Sequence, residues 1–419
     1  MYFKKGVKRA PVWYNSSTFM PDKKKKLKYK FPQGFLWGTA TSAHQIEGGN
    51  ENNWTEWERQ AGHIADGSLS GRACNSWELY KEDIRLVKEL HNNAYRFSLE
   101  WSRIEPRPGH FDTDALRRYR DLARECRRSG IEPIVTLYHW TQPLWFARQG
   151  GWLNKQSPLW FRQYVGRVAK ELGRDVTLWC TINEPLIYSY NSYFQGKWPP
   201  QAHSFWQFKK VLRNLAKAHK LAYFVLHDAS SDCRVGIAKN NQLFESYLDK
   251  WFNKLVVTFV SRFWNHSFLN KIQDTLDFIG LNYYFHSVVY VSLRGYVVMN
   301  ENKKVSDMGW EIFPRGIYET LTELKRYRLP VYILENGLAD SHDEQRVDFI
   351  QEHLRCVHQA IKEGVDVRGY CHWSLLDNFE WADGFEPKFG LYKVNFKTFE
   401  RTPRPSAGVY AEIAQNNGF

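Results

Sequence analysis

The chain has 419 residues, 43% of them hydrophobic and 16% aromatic, which excludes a disordered, fibrous or low-complexity protein and allows one large core. A formal net charge of +13 would suggest nucleic acid or an anionic surface as partner, but residues 1–30 carry ten Lys or Arg against one acid, Asp22. That segment accounts for +9 and the remaining chain for +4, so no nucleic-acid partner is expected of the body.

The basic segment 1–30, with its run KKKKLKYK, reads as a solvated, flexible extension; a membrane or nucleic-acid tether is the sharper alternative. It lacks the apolar stretch of a signal peptide, and no run approaches the roughly 18 apolar residues of a membrane span, so neither is expected. Six cysteines lie scattered without metal-ligand spacing, as reduced thiols of a cytoplasmic protein would. Most of the 18 Trp should be ordinary core, but a cleft that stacks sugar rings also uses many of them.

In chain order, β-rich runs alternate with longer amphipathic ones. FLWGTATS (35–42) precedes the helical SWELYKEDIRLVKEL (76–90). AYRFSLEW (94–101) precedes TDALRRYRDLARECRRSG (113–130). PIVTLYHW (133–140), VTLWCTINE (176–184), RVGIAKN (234–240), DFIGLNYY (277–284) and VYILENG (331–337) follow, then the helical 343–361 and the eighth run RGYCHWSLLD (368–377). Eight strands alternating with helices is the count of the α/β class's single (β/α)8 TIM barrel, here spanning 31–419. The competing doubly wound sheet loses its usual purpose, because no glycine-rich phosphate loop follows any strand.

Strand C-termini form the working face of such a barrel. Polar residues gather there: Gln45 and Glu47 just past the first strand, Arg96 in the second, His139 ending the third, Asn183 and Glu184 ending the fourth. Asn282 and Tyr284 close the sixth, Glu335 and Asn336 the seventh, and Glu380 with Trp381 follow the eighth. Two strand ends repeat one element, a glutamate followed by a chain-turning residue: NEP at 183–185 and ENG at 335–337. Strands four and seven face each other across the lumen, so Glu184 and Glu335 are expected to converge. Carboxylates about 5 to 5.5 Å apart are the apparatus of retaining glycoside hydrolysis. Arg96 and Tyr284 within reach of Glu335 would suit a nucleophile; desolvation and a like charge at Glu184 would suit an acid.

With these motifs, the chain resembles glycoside hydrolase family 1, the β-glucosidase and β-galactosidase family, from about Phe31 to Tyr410. The matching stretches include FPQGFLWGTATSAHQIEG (31–48), YRFSLEWSRI (95–104), TINEP (181–185), ILENG (333–337) and HWSLLDNFEWADGFEPKFGL (372–391). The resemblance implies a β-glycosidase with Glu184 as acid/base and Glu335 as nucleophile. It implies Gln45, His139, Asn183 and Glu380 around the sugar hydroxyls, with Asn183 at the 2-hydroxyl. Trp373 and Trp381 are implied as platform and wall, Trp310 as the aglycone-side platform, and Tyr284 as the group orienting the nucleophile. It implies no metal or organic cofactor, and a β-glycoside or oligosaccharide as the only partner; oligomeric state stays open.

Glu184 favours O-glycosides over thioglucosides, and a carboxylate at Glu380 is expected to repel 6-phosphosugars. The connection from Asn240 to Asp277 is shorter than is usual in the family, from which a more open aglycone side is expected. A carbohydrate-binding protein without catalysis is the rival class, disfavoured because both glutamates are present. Net transglycosylation stays open, since one glycosyl-enzyme serves either acceptor.

Overall fold

The computed structural model describes residues 27–248, 250–292 and 295–419. Eight parallel strands close into a barrel in chain order: β1 Leu36–Ala40, β2 Ala94–Ser98, β3 Glu132–Tyr138, β4 Leu178–Asn183, β5 Arg234–Asn240, β6 Phe278–Asn282, β7 Val331–Asn336 and β8 Val367–Trp373. The ring shuts where β8 pairs with β1, Gly369 opposite Leu36 through Trp373 opposite Ala40. All eight runs read from the sequence are barrel strands, most of them trimmed by a few residues at the ends.

The main crossover helices are α1 Ser76–Glu89, α2 Thr113–Arg128, α3 Ser157–Leu172, α4 Phe205–Ala229, α5 Trp251–Ser261, α6 Arg315–Leu324 and α7 Arg346–Lys362, with α8 Pro405–Asn416 after the last strand. Local chemistry sets their ends. Asp112 caps α2 by accepting from the backbone N–H of Asp114 and Ala115 at 2.8 and 2.9 Å, and Arg127 and Arg128 stand at its carbonyl end. The buried residues of α2, among them Leu116, Tyr119, Ala123 and Cys126, recur every three or four positions and face the barrel wall.

Small and medium side chains fill the lumen, including Ala40, Ala94, Ile134, Cys180, Ala238 and Leu334. Phe278 fits there because β5 opposes it with Gly236, where a Cβ would come within 2.5 Å of the ring. Trp373 and Phe389 cap this column below the working face.

Of the segment 1–30 expected to be an extension, Tyr29 and Lys30 are part of the fold. Tyr29 exchanges backbone hydrogen bonds with Phe419 at 2.9 and 3.1 Å, and Lys30 bridges Gly418, so these residues are tied to the chain's last residues. Most of that expected extension, residues 1–26, lies outside the described residues. Two small sheets were not foreseen: Leu243–Ser246, His286–Ser292 and Gly295–Val298 form one, Tyr392–Val394 and Arg401–Pro403 the other. Among the described residues, no helix is long and apolar enough to cross a membrane.

Candidate active site

Strand alternation would place only one of two consecutive residues over the lumen. Both glutamate-bearing strands break that rule. On β7 the register shifts between Ile333 and Glu335 against β6, and again by Asn336 against β8, so Leu334 lies in the lumen and Glu335 still meets the groups above it. On β4 the shift falls between Cys180 and Asn183, and Glu184 takes a left-handed conformation (φ 44°, ψ 62°) before Pro185 starts a short helix. A non-glycine residue in that region is strained, and such strain gathers at functional sites. The glycine of ENG serves differently from a left-handed turn: a Cβ on Gly337 would sit 1.7 Å from the Trp373 carbonyl oxygen, so the residue permits close approach of two strand ends.

Arg96, rising from β2, joins the two carboxyl-bearing strands. Its guanidinium donates to Glu335 Oε1 through Nη1 and to Asn183 Oδ1 at 2.7 Å through Nη2. Burial works against the Arg96 charge, but the charge and hydrogen bond of Glu335, together with Cys180 and Cys371, outweigh it, so its pKa rises. The Tyr284 hydroxyl donates to the other Glu335 oxygen at 2.9 Å, and burial followed by the Glu335 charge keeps that phenol protonated. Both Glu335 oxygens thus accept from a donor, one of them cationic.

Glu184 has a different setting. Its carboxyl accepts from Asn282, whose Nδ2 donates at 2.9 Å to Oε1 and at 3.2 Å to Asn183 Oδ1. Burial, then the charge of Glu335, pushes its pKa up to about 8. One carboxyl therefore holds a proton at neutral pH, while the other is met by a cation and a hydroxyl.

Both line one cavity of about 150 Å³, together with His139, Tyr284, Trp310, Trp373, Glu380 and Trp381. Gln45, Arg96, Asn183 and Asn282 stand buried around it. Of the fourteen residues singled out in the sequence, twelve come together here; Glu47 instead accepts from Arg103 and Tyr119 at 3.1 and 2.8 Å, and Asn336 donates to the Tyr283 carbonyl at 2.9 Å. Gln45 accepts from Ser42 at 2.6 Å and donates to Asn378 and Glu380 at 2.8 and 3.1 Å, so it holds Glu380 in place. Asn183 Nδ2 lies 3.0 Å from His139 Nε2; burial keeps that imidazole neutral, and its Nδ1 has no protein partner. An unpaired buried donor on a cavity wall is a place for a ligand oxygen.

Burial, then the charges of Asp383 and Glu335, raises the pKa of Glu380 well above the ordinary carboxylate value. The lining carries acids and aromatic rings and, among the described residues, no Lys or Arg that could neutralise a dianion.

Sequence reasoning missed Trp140, Ile187, Asn191, Trp198, Asn240, Phe285, Met308, Asp383 and Phe389, which also line the cavity. Trp140 and Asn240 end strand runs already read, so the strand-end rule could have found them. Asp383 and Phe389 lie within the matching stretch 372–391, whereas Ile187, Asn191 and Trp198 sit in connections without a recognisable pattern. The loop bearing Glu380 and Trp381 is pinned by Arg404, which grips both oxygens of Asp377 at 2.9 Å. No group of three or more His, Cys, Asp or Glu among the described residues could hold a metal ion.

The sequence model of glycosyl hydrolase family 1 matches residues 27–270 and 261–419. The chain belongs to glycosyl hydrolase family 1. It is 33% identical to a protein named beta-glucosidase A from Thermotoga maritima, over 93% of this chain and 98% of that one. A solved beta-glycosidase from Pyrococcus horikoshii is 42% identical and superposes with a TM-score of 0.89, covering 93% and 96% of the two chains. The Thermotoga maritima beta-glucosidase in complex with glucoimidazole superposes with a TM-score of 0.90 at 32% identity, covering 93% and 100%. As a family 1 member with this fold, the protein is a β-glycosidase.

Proposed function

We propose that Glu335 is the nucleophile and Glu184 the acid and then the base of a retaining β-glycosidase acting on unphosphorylated β-D-glucosides, with β-galactosides and β-fucosides tolerated. The opposed environments of the two carboxyls on one cavity carry this reading. Glu335 attacks the anomeric carbon while Glu184 passes its proton to the departing glycosidic oxygen, leaving a sugar ester on Glu335 and a free aglycone alcohol. Glu184, now ionised, takes a proton from water, whose oxygen displaces Glu335 from the sugar with a second inversion. Arg96 and Tyr284 hold Glu335 for attack and receive its charge back when the ester breaks.

We assign Asn183 to the 2-hydroxyl, His139 and Glu380 to further hydroxyls, with Gln45 supporting Glu380. Trp373 and Trp381 bound the sugar, and Trp310 faces the aglycone. The shortened connection after β5 supports a more open aglycone side. Six cysteines without disulfides, five of them buried, support a reducing, cytoplasmic setting. The deciding experiment is inactivation by a 2-deoxy-2-fluoro-β-glucoside with a good leaving group, followed by peptide mass mapping. One added sugar on Glu335 is expected. A label elsewhere, or turnover of the inactivator with inverted product anomer, would overturn the assignment.

A further inference from the structure

One histidine beside the cavity meets two carboxyls at once. His286 opens the small-sheet strand His286–Ser292; its Nδ1 lies 2.6 Å from Glu311 Oε2 and its Nε2 2.8 Å from Glu245 Oε2. The ring stacks on Phe313 with centres 3.9 Å apart and planes inclined by 14°, and the side chain is 4% exposed. A neutral imidazole has a single N–H to give, so donation to both acids takes the imidazolium form. Asn300 completes the arrangement: its Nδ2 donates to Glu311 Oε2 and, at 3.0 Å, to the His286 carbonyl.

The three charged members come from three separate stretches of chain. Glu245 lies on Leu243–Ser246, the strand that follows the cavity-lining Asn240 and pairs in parallel with His286–Ser292, Leu243 opposite His286. Glu311 follows Trp310 and His286 follows Phe285, and both of those aromatic residues line the cavity with ring centres 4.7 Å apart. Tyr284, two residues before His286, meets Trp310 at 5.8 Å and donates to Glu335. The Trp310 backbone bonds to Ser306 within its own turn, accepting from the Ser306 N–H at 2.9 Å and donating to Ser306 Oγ at 3.2 Å, so its polar tie to the Phe285 strand runs through Glu311. Without the histidine, Glu245 and Glu311 would be like charges brought together by the sheet. The other cations acting on them, Arg315 on Glu245 and Lys303 on Glu311, are exposed and screened by water.

We propose that His286, Glu245 and Glu311 are positioning residues that hold Phe285 and Trp310 at a fixed spacing, and so determine the affinity for aglycones large enough to reach both rings. This rests on the assignment of Trp310 to the aglycone side. The test compares turnover of a naphthyl β-glucoside with binding of an imino sugar that has no aglycone, in wild type, His286→Phe, Glu245→Ala, Glu245→Gln and Trp310→Ala. His286→Phe keeps a flat ring on Phe313 and removes both donors; Glu245→Gln still accepts from Nε2. KM for the naphthyl glucoside is expected to rise about fivefold or more in His286→Phe and about threefold in Glu245→Ala, and to return to the wild-type value in Glu245→Gln. Over these variants kcat and imino-sugar affinity should stay within about twofold, because neither the glycosyl-enzyme nor the inhibitor carries an aglycone. A KM rise matched by an equal loss of imino-sugar affinity would overturn the proposal, as general damage to the site. Should His286→Phe fail to fold, an unchanged KM in Glu245→Ala would overturn it equally. An unchanged KM in Trp310→Ala would remove the aglycone assignment and this proposal with it, whereas a raised KM there beside unchanged values in His286→Phe and Glu245→Ala would overturn this proposal alone.

Discussion

Replacing Glu184 by Ala tests the division of labour most directly. Burial and Glu335 raise its pKa from 4.5 to about 8, so at pH 7 about nine-tenths of it carries the proton. At 4.5, only about one molecule in three hundred would be protonated, so the site's tuning supplies roughly a 300-fold gain in competent acid. With an alkyl β-glucoside, whose leaving alcohol needs that proton, Glu184→Ala should lose about 10³-fold or more in kcat/KM, or about 4 kcal/mol. With a dinitrophenyl β-glucoside, which leaves unaided, kcat/KM should stay within about tenfold, while kcat falls because water lacks its base and the glycosyl-enzyme accumulates. The sign of the pH effect follows: the acid is competent below its pKa, so the alkaline limb of wild-type kcat/KM should fall through about pH 8 and vanish in the variant. Steady-state kinetics on both substrates, with a pre-steady-state burst, measures all of this. Equal losses on good and poor leaving groups, or an unchanged alkaline limb, would refute the assignment.

Glu335→Gln should reduce turnover of every substrate to background while leaving binding of a sugar-shaped inhibitor measurable by calorimetry, since the amide keeps the side chain's shape. Arg404→Ala removes one partner of a buried pair and should cost about 3 to 5 kcal/mol of stability, read as a lower melting temperature, with a raised KM because Asp377 no longer anchors the Glu380 loop. Gly236→Ala drives a Cβ against Phe278 and should cost about 1 to 3 kcal/mol, partly recovered in Gly236→Ala/Phe278→Leu; an unaffected melting temperature would contradict the lumen packing described. Glu380→Ala should weaken kcat/KM for unphosphorylated glucosides without creating activity on 6-phosphoglucosides, because the lining still offers no cation; emergence of that activity in an aryl 6-phosphoglucoside assay would disprove this reading.

Much of this protein was legible in its sequence because strand alternation and helix periodicity are local properties of the backbone. The eight runs, the polar residues at their C-terminal ends and the two glutamates before Pro185 and after Leu334 all follow from that periodicity, and the family motifs covered nearly the whole chain. What lay beyond it depended on neighbours distant in the chain. The register shifts on β4 and β7 that bring successive residues to the same face arise from pairing with adjacent strands. The raised pKa values of Glu184 and Glu380 come from desolvation and from charges placed by distant parts of the chain. The outward turn of Trp251, Leu255 and Phe259 was equally beyond it: an apolar row at helical spacing reads as core, and only its tertiary position shows that Asn253 and Val257 face inward instead. Sequence thus determined which residues stand at the barrel's mouth; the assembled structure decided their protonation and which faces meet water, since both depend on the dielectric surroundings that folding creates.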